Sequence, residues 1–282
     1  MSKLLPLVFI VLWASAFVSS KFIVTDATPF ASLAFRYAIV GAVFVCVTLF
    51  LRESLRGRRQ DIAATCMIGV LFHGVSIGSV FFAVSIGLPT GIAALINSLQ
   101  PILTSVLAGP LLGEKVTWRQ WVGILLGFCG VTIVLGLDVG ADLPTLGVIS
   151  AVIGLAALTT ATLWQKKMSD RLSLSVANVY QALAAGLFHL LIMLIFEDGT
   201  ISFTQGFILA MGWQIIAVSF GAFTILLYLL KTGSASRTSA LFFLVPPVSI
   251  FMAWALLGEA VTAFDLLGLL IATGGVYLAT RK

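Results

Sequence analysis

The chain has 282 residues, of which 60% are hydrophobic and 10% charged, against roughly 45–50% and about 25% in soluble domains. So few charges cannot clothe a water-soluble protein of this size, and the net charge of +5 comes from scattered loop residues rather than a basic stripe. An ordinary cytosolic enzyme, a disordered chain and a nucleic-acid binder are thereby excluded, and the lipid bilayer is the expected environment.

A transmembrane helix needs about 20 mainly apolar residues, and its backbone must satisfy its own hydrogen bonds. Ten such runs follow one another at 4–23, 30–51, 62–83, 90–111, 119–137, 145–166, 174–196, 207–229, 236–257 and 264–280. The pattern predicts an all-α polytopic membrane protein with ten transmembrane helices. In the first run, Lys3, an apolar stretch and Ala14-Ser15-Ala16 imitate a secretory signal with its cleavage site. The apolar stretch continues through Phe17 and Val18, so the segment is read as a retained helix. The longest charged connection runs from Arg52 to Asp61, and the other loops are short. Cys46, Cys66 and Cys129 lie in apolar runs with neither metal-ligand nor disulfide-framework spacing, and no cofactor is expected.

Lys and Arg gather in cytoplasmic loops. With the N-terminus inside, 14 of the 16 basic residues fall inside, and only Lys21 and Arg36 fall outside. Four acids accompany the inside set and seven lie outside, which splits +5 into +10 inside and −5 outside. The bias alternates without a slip from end to end, as ten spans with both termini cytoplasmic require.

An internal repeat follows. Leu111-Leu112-Gly113-Glu114-Lys115-Val116-Thr117 recurs as Leu256-Leu257-Gly258-Glu259-Ala260-Val261-Thr262, an offset of 145 residues that also pairs Pro101 with Pro246, Gly123 with Gly268 and Gly130 with Gly275. Residues 1–137 and 146–282 thus form two five-helix units. Five is odd, so the second unit enters the membrane from the opposite side. Inverted repeats around a midplane site are the architecture of secondary transporters.

Four features taken together, namely the two five-helix units, Phe35-Arg36-Tyr37 early in the second helix, Asn97-x-x-Gln100-Pro101 in the fourth and the Gly-Glu turn before a Gly-rich fifth helix, resemble the EamA branch of the drug/metabolite transporter superfamily. The resemblance covers the whole chain, and among relatives of this size the bacterial amino-acid exporters of the YddG type, some of them for aromatic amino acids, are the nearest match. It implies that the first four helices of each half line a central cavity while the fifth and tenth pack outside. In the second half Gln181 stands for Arg36, and Phe242 and Val245 stand for Asn97 and Gln100.

Polar groups at membrane depth are costly and therefore informative. Asn97 and Gln100 share a helix face and can either hold a substrate's carboxylate and ammonium or bond a neighbouring helix. Pro101, Pro246 and Pro247 are expected to kink their helices and act as hinges. His73 is a candidate proton relay or a neutral cavity residue. Trp13, Ser15, Thr160, Trp164 and Tyr228 complete the candidate substrate-binding set, with Arg36 placed to attract a carboxylate or to latch an outer gate. Gly123 and Gly127 permit close helix packing, and Trp118, Trp121 and Trp213 read as interface residues. No carboxylate lies at mid-span, so facilitated diffusion or exchange is expected, with proton-coupled efflux through His73 as the alternative. An intramembrane enzyme would need paired aspartates, a zinc helix or an aligned serine, and the sequence offers none. The expectation is therefore a non-enzymatic exporter of small solutes, most simply amino acids, working by alternating access in a bacterial inner membrane as a monomer or weak homodimer.

Overall fold

A computed structural model describes residues 4–88, 90–135, 143–257 and 261–281. Lys3, Asp138, Asp142, Glu259 and Lys282, and with them the Gly258-Glu259-Ala260 stretch, lie outside the described residues, as does the side chain of Lys21. The described residues are helical, joined by turns and by a single isolated bridge between Ala27 and Ile201. Eight helices are long and apolar enough to cross a membrane, and two shorter apolar helices, Gln100–Leu112 and Trp118–Val134, accompany them. Large apolar side chains such as Phe50, Phe196, Leu209 and Leu270 point outward, a surface that only lipid can cover.

In chain order the elements are α1 (Leu5–Val24), α2 (Pro29–Phe50), α3 (Arg59–Gly69), a π-helical segment π1 (Val70–Ile77), α4 (Gly78–Ser85), α5 (Thr90–Asn97), α6 (Gln100–Leu112) and α7 (Trp118–Leu135). They continue with α8 (Thr145–Met168), α9 (Leu174–Phe196), α10 (Gln205–Trp213), π2 (Gln214–Ala222), α11 (Phe223–Thr232), α12 (Ala235–Ala240), a 3-10 turn (Leu241–Leu244), α13 (Val245–Leu257) and α14 (Ala263–Thr280).

Four of the expected helices are therefore not single α-helical rods. The runs at 62–83 and 207–229 each carry a widened π-turn in the middle. The run at 90–111 breaks at Ser98 and Leu99, and the run at 236–257 tightens into the 3-10 turn. The expected proline kinks need correcting accordingly. Pro101 lies in the first turn of α6, and Pro246 and Pro247 lie in the first turn of α13. A missing N–H costs little there because first-turn donors have no intrahelical partner, so the chain interrupts just upstream of each proline instead of bending at it.

The 145-residue offset recurs in these details. π2 occupies the positions 145 residues beyond π1. The start of α7 is capped by Thr117 and Gln120, whose side chains and backbone N–H groups exchange hydrogen bonds of 2.8 and 3.3 Å. Thr262 and Asp265 repeat the same reciprocal box at α14, at 2.7 and 3.3 Å. The recurrent Val-Thr of the sequence is thus a helix-start signal.

Equivalent helices of the two halves also pack together, and they run antiparallel. Gly123 meets Gly275 and Gly130 meets Gly268 across the α7–α14 contact; a methyl group on Gly130 would lie 2.7 Å from the Gly268 carbonyl oxygen. Glycine on both sides lets the two backbones touch, as the Gly-x-x-x-Gly spacing predicted. The α2–α9 pair is clamped at both ends by carboxylates. Glu197 accepts from the N–H groups of Phe30 (3.0 Å) and Ala31 (3.1 Å) at the start of α2, where helix N-termini favour an anion. At the other end Glu53 accepts from Ser173 Oγ at 2.5 Å and from Ser175 Oγ beside the start of α9.

The hydrogen bond from Ser173, then that from Ser175, hold the Glu53 carboxyl below its ordinary range, against a smaller opposing effect of burial. A depressed folded-state value means that this clamp stabilises fully above the unfolded carboxylate pKa of about 4.3 and is lost as pH falls through the lower folded value. Thermal unfolding followed between pH 6 and 3 is expected to show a decline in this acid range that flattens in Glu53→Gln.

Candidate functional site

The π-turns and the helix breaks converge on one place. A cavity of about 180 Å3 lies between the two halves, lined by π1 through Phe72 and His73, by π2 through Gln214, Val218 and Ser219, by Asn97, Ser98 and Gln100 at the α5–α6 break, and by Phe242, Val245 and Pro246 at the 3-10 turn. π-turns expose side chains and carbonyls that a regular helix would hold in place, and they concentrate at functional sites. One wall is aromatic. Trp13 stands edge-on to Phe242 (5.3 Å between ring centroids) and to Phe72 (6.2 Å), and Phe72 continues to Phe223 at 5.2 Å.

Polar groups share the lining. Gln100 is 1% exposed, and its Nε2 donates to Thr104 at 3.0 Å and, across the halves, to Ser239 at 3.2 Å and Thr162 at 3.3 Å. Its Oε1 and the Oδ1 of Asn97 are buried without a hydrogen-bond partner among the described residues. Buried acceptors in that condition cost free energy until something donates to them. Arg36 also lines the cavity. Its Nε donates to Ser219 Oγ at 3.0 Å, its Nη1 donates to Gln214 Oε1, and its guanidinium carbon lies 5.4 Å from the Tyr37 ring centroid. Tyr37 hydroxyl and His73 Nδ1 are 2.9 Å apart, while His189 Nε2 bonds the His73 carbonyl at 3.0 Å, occupying a backbone group inside π1.

The cavity is lined along α9 by Asn178 and Ala182, on either side of Gln181. Along the third rod its lining continues through Ser76, Ile77, Val80 and Phe81. Phe9, Ile68, Leu226, Leu227 and Leu230 are fully packed into a continuous core. The helices α3 and α9 touch so closely that a methyl group on Gly69 would sit 2.5 Å from both Cα and the carbonyl oxygen of Gln181.

Of the expected substrate-binding residues, Trp13, His73, Asn97 and Gln100 come together here, joined by Pro246 and Arg36. The others do not line the cavity. Thr160 is exposed on the outside of α8, Tyr228 is 40% exposed, and Trp164 packs against the core. Ser15 donates to the Leu12 carbonyl at 2.7 Å and accepts from Trp213 Nε1 at 2.8 Å, so Trp213, read as an interface residue, ties α10 to α1. Pro101 and Pro247 also stand off the lining. Gln214, Asn178, Phe72, Tyr37 and Phe223 line the cavity without having been singled out for it. Gln214 carried a usable signal: an amide in the middle of an apolar run.

The motif before the fifth helix has a structural task. Gly113 takes a left-handed conformation (φ 69°), which turns the chain so that Glu114 accepts from Ala235 N–H at 2.8 Å and Ser236 N–H at 3.3 Å in the other half.

The EamA-like transporter family pattern matches residues 2–136 and again 145–281. The chain belongs to the EamA-like transporter family. Full-length relatives include an uncharacterized transporter, YvbV, of Bacillus subtilis, 25% identical over all of this chain and 92% of that protein. A probable amino-acid metabolite efflux pump of Salmonella typhimurium is 26% identical over 97% of this chain and 93% of its own length. An S-adenosylmethionine/S-adenosylhomocysteine transporter of Chlamydia muridarum is 25% identical over 96% and 87%. A solved crystal structure superposes with a TM-score of 0.83 at 20% identity, covering 99% of this chain and 96% of the other, a likeness of fold. The EamA protein is thus a multi-pass membrane transporter with a small-molecule cavity between its halves.

Proposed function

We propose that this EamA transporter exports amino acids, aromatic ones included, across the inner membrane of a bacterium by alternating access. The observation that carries the reading is the cavity itself, whose lining combines aromatic rings with two residues, Asn97 and Gln100, whose buried amide oxygens lack a donor among the described residues. A zwitterion with an apolar side chain fits both kinds of lining: its ammonium donates to Asn97 and Gln100, and its side chain packs on Trp13, Phe72 and Phe242. The named efflux pump among the relatives points the same way, and the S-adenosylmethionine transporter carries a molecule that also has an amino-acid head.

Ten spans, both termini cytoplasmic, with residues 1–137 and 146–282 as inverted repeats, is the topology we assign. The basic-residue bias supports it, as do the antiparallel pairs α2–α9 and α7–α14. In this topology Val80 and Phe81 of the lining lie toward the outside, and the Gly69–Gln181 contact lies nearer the cytoplasmic side. The breaks before Pro101 and Pro246 let the half-helices move separately.

Flux of radiolabelled amino acids through the purified protein in liposomes tests the reading. Saturable flux is expected, with Asn97→Ala and Gln100→Ala raising the half-saturating concentration at least tenfold; a folded protein that moves no amino acid overturns it. Proton-coupled efflux is the second reading, drawn from the His73–Tyr37 contact in the cavity wall, with His189 and Arg36 as the other ionisable neighbours. Flux that follows an imposed pH gradient in the wild type and loses that dependence in His73→Ala decides for it.

A further inference from the structure

We infer that Arg36 is the residue that recognises the transported solute's anionic group, so that the cavity selects solutes with one negatively charged head on an apolar body. The inference deepens the carrier reading above and rests on it. Arg36 is 6% exposed and faces the cavity. Its described hydrogen bonds go to two neutral acceptors, Gln214 Oε1 and Ser219 Oγ, and no described acidic side chain pairs with it. A buried cation held only by neutral groups carries an uncompensated desolvation cost that a counter-charge removes. A guanidinium also presents five donors in a fork that fits a carboxylate or phosphonate with two parallel bonds.

The internal repeat supplies a control within the same molecule. The 145-residue offset places Gln181 where Arg36 stands, and Gly69 where Gln214 stands. That second pair is neutral and tightly packed: Gln181 Nε2 donates to Gln165 Oε1 at 2.5 Å, and its backbone abuts Gly69. The architecture therefore accepts an amide at this helix position. The cation appears only in the copy that opens onto the cavity, which assigns it to the solute and not to the packing of α2.

The test uses the full-length protein in lipid nanodiscs and four probes that share a benzene ring: phenylacetate, phenylphosphonate, phenylacetamide and phenethylamine. Binding is read as the rise in melting temperature with probe concentration. At least one of the two anions is expected to bind tenfold or more tightly than both the amide and the amine, and the ratio between the anions tells which head is preferred. Arg36→Gln is expected to erase that preference, and Arg36→Lys to keep part of it. Gln214→Glu, which places a carboxylate beside the guanidinium, is expected to erase it while leaving Arg36 in place and satisfied. Anions bound no better than the amide, or a preference unchanged in both Arg36→Gln and Gln214→Glu, would overturn the inference. Amino-acid flux measured on the same preparation separates the two readings: flux without anion preference sinks only this one, and anion preference without amino-acid flux sinks only the choice of amino acids.

Discussion

Replacing Gly69 by leucine is expected to cut transport at least tenfold and to open the cytoplasmic side of the bundle. A β-carbon at this position would lie 2.5 Å from the backbone of Gln181, inside any tolerable van der Waals distance, and backbone cannot rotate away as a side chain does. The helices α3 and α9 must separate, and with them the seal that keeps the cavity closed on that face. Cys66 lies one turn earlier, on the same side of α3, and is partly buried. With Cys46 and Cys129 changed to serine, its labelling by a water-soluble maleimide should rise in Gly69→Leu. Unchanged flux and unchanged labelling would show that this contact is not the seal. Gly274→Ala serves as the control, because a methyl group there meets nothing within 4 Å.

The second large effect is on stability. Gly130→Leu is expected to prevent accumulation of folded, monodisperse protein, because its β-carbon would press on Ala272 N at 2.5 Å and on the Gly268 carbonyl oxygen at 2.7 Å. Overpacking a core costs about 1–3 kcal/mol when side chains can yield, and more when two backbones must part. Size-exclusion chromatography with a melting curve checks this. Gly130→Leu melting as the wild type does would show that α7 and α14 are not held by backbone contact. Together the two glycines test two different backbone contacts: that of α7 with α14, expected to brace the fold permanently, and that of α3 with α9, expected under the proposed alternating access to open for a solute to pass.

Much of this was legible in the sequence because the bilayer imposes a strict grammar. The helical spans follow from apolar run length and the 145-residue offset from the recurring motif, and both have a structural counterpart in the helices described. Gly123 and Gly127 could be read as packing residues since close helix approach has few other solutions. The interruptions were less legible. A proline in a long apolar run reads as a kink, yet Pro101 and Pro246 start new helical segments, and the decisive breaks fall on Ser98–Leu99 and on Leu241–Leu244, whose residue types carry no such signal. The π-turns around His73 and Ser219 were invisible for the same reason: an extra residue in one turn changes which face looks inward without changing composition. The π-turns bring Phe72 and Gln214 to the cavity, whereas Thr160 and Trp164 on the uninterrupted α8, and Tyr228 beyond π2, land away from it because depth alone does not fix which face of a helix looks inward. Arg36 reads from the sequence as a cation near a helix start that attracts a carboxylate or latches a gate; only the folded arrangement shows that it faces the cavity and has no described acidic partner.

Counterflow in proteoliposomes tests the central claim most directly. Vesicles containing the purified protein are loaded with unlabelled phenylalanine and diluted into a trace of the radiolabelled amino acid. An alternating-access carrier with the cavity described here predicts transient accumulation of label above equilibrium, saturable and absent from protein-free vesicles. Label that equilibrates without overshoot at a rate linear in concentration, or does not enter at all, would contradict it.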